Sequence, residues 1–195
     1  MIGSLKAILT KTERKTHRFM KIHAQSVVED ELREVSRVLP YEEITEISSF
    51  EEPVKLFRQW LALPGDIPHY RDIKPNLFDP SLLPFMHILD VIPLSDETND
   101  TGDIDFQFRL FGTGARDHYG KEGTSRRLSH MSHAGSGNGF DITKLACETK
   151  TAQFLLSHYY KNERHVKTGS FVIMPLSDDK NEVVRMFGCG IWTTP

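Results

Sequence analysis

The stretch FQFRLFGTGARDHYG, Phe106 to Gly120, runs from an alternating segment through Gly-Thr-Gly into the start of a helical pattern. Such a corner is either a loop that cradles phosphates or a plain strand-to-helix turn. A dinucleotide loop needs a third glycine so that helix and strand can pack closely. Here Gly112-Thr113-Gly114 is followed by Ala115, Arg116 and Asp117, so the third glycine is absent. Asp117 would also set a negative charge beside a pyrophosphate. No Gly-Lys-Ser or Gly-Lys-Thr occurs anywhere in the chain. The first strand of a parallel nucleotide fold is buried on both faces and reads as a continuous apolar run. In this segment Ile104, Phe106, Phe108 and Leu110 alternate with Asp105, Gln107 and Arg109, the period of a half-buried strand. The corner is therefore expected to be a turn, with Gly112 and Gly114 freeing the backbone to bend sharply.

The flanking segments extend the picture. FMHILDVIP (85–93) predicts a strand, and LSDETNDTGD predicts the polar loop of a hairpin leading into 104–111. After the corner, ARDHYGKEG and SRRLSHMSHAGSGNG predict short helices or loops with a glycine-rich break. A long helix is predicted from Asp141 to Tyr160. RHVKTGSFVIMPLS and EVVRMFGCGIWTT then form a second hairpin around Asp178-Asp179-Lys180-Asn181. Upstream, SSFEEPVKLFRQWLALPG predicts a helix capped by Ser48 or Ser49 and stopped by Pro64-Gly65. Short connections make both strand pairs antiparallel. The expected fold is α+β: an antiparallel sheet of about five strands, with helices inserted between two β-hairpins and leaning on one face.

Residues 1–47 are expected to form an N-terminal helical arm, with the main domain at 48–195. Val28, Leu32, Val35 and Leu39 have helical spacing, ended by Pro40. Residues 1–21 carry six basic residues against Glu13, and 29–52 carry nine acids against Arg33 and Arg37. The two segments could attract each other within the chain or between two chains, but solvated faces are the expectation, with homodimerisation through the arm and the neighbouring helix.

The 195 residues are 38% hydrophobic and 26% charged, ordinary for a globular chain. A net charge of -3 gives no pull toward nucleic acid or an acidic membrane surface. No apolar run is long enough to span a membrane, and the first residues lack a signal-peptide pattern. Two cysteines, Cys147 and Cys189, suit small buried hydrophobes in a reducing cytoplasm rather than a disulfide scaffold.

Trp60, Gly65, Pro68, Pro75, Leu83-Pro84, Phe108-Arg109-Leu110, Gly112-Thr113 and Tyr119-Gly120, followed by MPLSDD from Met174, form an ordered set of short motifs. Their order and spacing resemble a family of stand-alone bacterial PAS-type proteins over roughly residues 50–192. The resemblance implies a PAS-like sheet and a sensory, ligand-binding or protein-interaction role without its own output domain, signalling through a partner. It implies no catalytic residues and names no cofactor.

Several features invite chemistry. His130 and His133 lie three apart, yet no third ligand completes a metal set. His158, placed on the long helix, is a weak candidate haem ligand. Cys147 stands in KLACETK, unlike the Asn-Cys-Arg-Phe setting of a light-sensing flavin domain. Ser136 sits between glycines, but no strand precedes it as a nucleophile elbow requires. Asp103, Asp105 and Asp117 are acid/base candidates with nothing to show that they converge. A small enzyme using Gly112 to Tyr119 and a purely structural dimerisation module are the competing readings. The preferred expectation is a non-enzymatic module with a ligand held between sheet and helices. Phe106, Phe108, Met174, Met186 and Trp192 would line the site, and Arg109 and Tyr119 would offer polar contacts.

Overall fold

The computed structural model describes residues 32–94, 103–131 and 136–195. It contains six strands: β1 (Leu32–Leu39), β2 (Met86–Pro93), β3 (Ile104–Phe111), β4 (Gln153–Lys161), β5 (Arg164–Ser177) and β6 (Val183–Thr193). They form one sheet in the order β1-β4-β5-β6-β2-β3, with every neighbouring pair antiparallel. The helices are α1 (Tyr41–Ile44), α2 (Glu51–Leu61), α3 (Thr113–Tyr119) and α4 (Ser136–Thr149), joined by short 3-10 turns. Helices α3 and α4 lie in sequence between the β2–β3 and β5–β6 hairpins. This is the PAS-like arrangement expected from the sequence.

Three expectations are corrected. Residues 32–39 form a strand rather than the end of a helix, pairing with β4 from Leu32↔Lys161 to Leu39↔Phe154. Leu32, Val35 and Leu39 fit a helical stripe, but the free edge of β4 offers hydrogen-bond partners to alternate residues of an eight-residue segment. Residues 1–31 of the arm expected over 1–47 lie outside the described residues. Second, the long helix ends at Thr149, and QFLLSHYYK is strand β4. Lys150 takes a left-handed φ of 56°, which breaks the helix there. Third, helices cover both faces of the sheet. Phe154, Val172, Met174 and Phe187 pack under α2 through Leu56, Phe57 and Trp60. Leu89, Phe106, Leu155, Ile173 and Met186 pack under α3 and α4 through Ala115, Ile142 and Ala146. Neighbours such as Val172 and Ile173 fall into opposite cores because side chains alternate along a strand.

Helix α2 follows a 3-10 turn at Ser48–Phe50 and has no side-chain cap. Ser49 accepts a hydrogen bond from Ser170 instead, at 2.7 Å, which fixes this turn to β5.

The glycine corner has a steric cause. Gly112 takes an ordinary extended φ of -61°, so no special backbone conformation is needed. A Cβ at Gly112 would lie 2.2 Å from the Pro84 carbonyl oxygen, and one at Gly114 would lie 2.5 Å from the Phe85 ring. The Gly112 amide donates to the Met86 carbonyl at 3.0 Å. Phosphate oxygens find no open cradle here, because β2 and the turn before it occupy that side of the corner.

Candidate functional site

A cavity of about 90 Å³ lies between the sheet and helices α3 and α4. Its apolar wall comes from Leu89, Phe108, Phe111, Ala115, Leu128, Ile142, Leu155 and Ile173. Its polar groups are Glu34, His87, Tyr119, Thr143, Ser157 and Tyr159, and Phe171 and Trp192 also line it. An apolar cavity of about 150 Å³ accepts benzene, so this one, at about 90 Å³, has room for a molecule of roughly three or four heavy atoms.

Strand geometry places the polar groups together. On β1, Glu34 and Ser36 share a face by period-two alternation, opposite Tyr159 and Ser157 of β4. The Ser36 and Ser157 hydroxyls lie 2.8 Å apart, and Asn138 of α4 donates to Ser36 at 3.2 Å. Ser36 in turn donates to Glu34 Oε1. Glu34 is 6% exposed, and its other oxygen, Oε2, is shielded from water and accepts no hydrogen bond. None of the ion pairs among the described residues includes Glu34.

Burial raises the Tyr159 phenol pKa well above its usual range, and the nearby Glu34 charge adds to this. Burial and then Glu34 do the same at Tyr119. His87 on β2 is part-buried without a charge partner, and desolvation pushes its pKa down from 6.5 to about 4 and keeps the imidazole neutral. The aromatic end is built around Trp192. His118 stacks on its ring at 4.1 Å, and Tyr119 and Phe171 stand nearly perpendicular at 5.6 and 5.3 Å.

Of the expected site residues, Phe108, Tyr119 and Trp192 meet at this cavity. Phe106 and Met186 belong to the same core but lie outside the lining. Met174 packs in the opposite core, under α2. Arg109 points to that opposite face as well, because Asp105, Gln107 and Arg109 alternate with the inward phenylalanines. There it donates to Asp90 at 2.9 Å, as does Arg185. It offers the cavity no polar contact.

The other candidates separate. His158 sits on β4, facing away from the cavity, 3.3 Å from His165. Asp105 is buried and held by Ser129 Oγ at 2.6 Å. Asp103 and Asp117 are exposed, with Lys144 3.9 Å from Asp103 and Arg116 3.6 Å from Asp117. His133 lies outside the described residues. Among those residues no three His, Cys, Asp or Glu side chains converge as a metal site. Ser136 opens α4 rather than lying in a loop. Cys147 is half-buried on α4, where burial raises its thiol pKa to about 11.

Sequence reasoning missed Glu34, His87, Ser157 and Tyr159. The alternation of Glu34, Ser36 and Val38 in LREVSRVL was the available signal. It is faint because two of the three inward residues are polar.

Among the described residues no helix is long and apolar enough to cross a membrane. No family model and no curated protein matches this chain. Among solved structures, it is similar to a chain described as the structure of an RNA-binding light-oxygen-voltage receptor, at 15% identity and a TM-score of 0.37. That match covers 66% of this chain, which spans 36% of the receptor chain. The PAS-like assignment therefore rests on this chain's own strand order and on the helices inserted between its hairpins.

Proposed function

We propose that this chain is a PAS-like sensory module that holds a small molecule between its sheet and helices α3 and α4. The observation that carries the reading is the cavity itself, a part-open hollow between sheet and helices edged by a buried carboxylate with one oxygen unpartnered. Interiors normally leave few voids larger than a water molecule, and buried charges are normally paired. A site kept both hollow and electrostatically incomplete suits a ligand. Its occupancy would be felt by α3 and α4, whose Ala115, Tyr119, Ile142 and Thr143 form part of the wall. Homodimerisation and transfer of the signal to a downstream protein belong to the same proposal. No catalytic step is assigned.

The test is a thermal-shift screen of the full chain with small organic cations, anions and neutral molecules. A ligand should raise the melting temperature with concentration, as binding to the folded state alone requires. Ala115→Leu, which fills the cavity from α3, should abolish that rise. A rise that survives Ala115→Leu, or no rise with any small molecule, would refute the reading.

A further inference from the structure

We infer that the cavity takes a small organic monocation, of the alkylammonium type, with Glu34 as its counter-ion. The inference rests on the cavity reading above and adds the chemistry of the occupant.

Three features point to a cation. Glu34 is the acidic side chain of the lining, and no Lys or Arg side chain shares that lining. Its Oε1 receives the Ser36 hydroxyl, while Oε2 accepts no hydrogen bond. A buried carboxylate in that condition is stabilised by an incoming N–H donor that also brings positive charge. Second, Glu34 shares the cavity with several aromatic rings. Tyr159 stands across the β1–β4 ladder from it, and Tyr119, Phe171 and Trp192 also line the wall. Aromatic faces attract cations most strongly where water is excluded, and quaternary ammonium groups are recognised this way. Third, the size agrees. About 90 Å³ suits a methyl-substituted ammonium ion and is small for a planar multi-ring cofactor. A carboxylate ligand would face repulsion from Glu34. A neutral ligand would leave its charge unanswered.

The cation would enter with its N–H toward Oε2 and its methyl groups against the rings. Ser157 and Ser36 would hold the carboxylate from behind through the hydroxyl chain that ends on Oε1.

The experiment is an NMR titration of the full chain, read at the Trp192 indole N–H and the backbone amides of β1 and β4. The probes are methylammonium, dimethylammonium and trimethylammonium chloride, with tert-butanol and acetate as neutral and anionic counterparts of similar size. Sodium chloride serves as the ionic-strength control, and xenon reports the cavity independently of charge. The expected result is saturable binding of at least one ammonium ion, weaker by at least about thirtyfold in Glu34→Gln. Xenon should perturb the wild type and the variant alike.

Equal binding of tert-butanol and the ammonium ions, indifferent to Glu34→Gln, would overturn the inference and leave the cavity reading standing. If no probe, xenon included, perturbs the lining residues, both fall. Should Glu34→Gln fail to fold, Glu34→Asp retains the charge and must still prefer cations over tert-butanol. Loss of that preference counts against the inference.

Discussion

Glu34 on the edge strand β1 stands directly opposite Tyr159 on β4, with both residues lining one cavity. The pairing places a carboxylate against a phenol whose ionisation that carboxylate opposes. It also gives a stability test, because unpaired buried charge is costly. Glu34→Gln keeps the shape and removes the charge. It should raise unfolding stability by about 1–3 kcal/mol in the absence of ligand. Urea denaturation should show a higher midpoint at unchanged slope. A loss of stability would mean that the charge is already satisfied in the native chain.

His87 predicts a pH dependence. Its folded-state pKa, about 4, lies below the ordinary 6.5, so between those values the unfolded chain binds the extra proton. This contribution to stability is therefore fully present above pH ~6.5 and is lost as pH falls toward ~4. The span corresponds to on the order of 3 kcal/mol. The stability difference between wild type and His87→Phe should change with pH inside that window and flatten above it. A pH-independent difference would show that His87 is not held neutral.

Gly112→Ala tests the packing account of the corner. The added methyl would meet the Pro84 carbonyl oxygen at 2.2 Å, a backbone atom that cannot swing aside as a side chain can. Overpacking of this kind costs about 1–3 kcal/mol, and here the upper end is expected. The thermal midpoint should fall by many degrees, with no specific change in small-molecule affinity. A stability within error of wild type would contradict the close approach.

Arg109 separates surface from site. Its guanidinium is half exposed and bonded to Asp90 on the face away from the cavity. Arg109→Ala should cost less than ~1 kcal/mol, as exposed ion pairs do, and should leave ligand titrations unchanged. Asp90→Ala should cost more, since it also strands Arg185. A weakened ligand titration in Arg109→Ala would place this side chain back in the site.

The cysteines differ in access. Cys189 is fully buried and Cys147 is half-buried with a thiol pKa raised to about 11. At neutral pH little of Cys147 is thiolate, so Ellman's reagent should modify it slowly, with Cys189 reacting on unfolding alone. Rapid labelling of the native chain at both positions would be inconsistent with this packing.

The hairpins were legible because their strands carry clear alternation and short polar turns. Phe106 and Phe108 point inward as their spacing predicts. The strand β4 was hidden because FLLSHYY follows a true helix after a link of a few residues and is buried on both sides along much of its length. A continuous apolar run carries no period to distinguish strand from helix. The same fault displaced His158 onto a helix. Arg109 and Met174 were misplaced for another reason: the sheet is covered on both faces, so an inward residue can belong to either core. The decisive carboxylate was hardest to read, since inward Glu34 looks like an outward residue until its partner strand is known.

The margin of the sheet that supplies Glu34 has β4 as its single strand neighbour and is eight residues long. Changing that short ribbon would rewrite what the hollow welcomes while the five strands behind it kept their pairing. Chains sharing this architecture can thus diverge in chemical taste by editing their border, without renegotiating the interior.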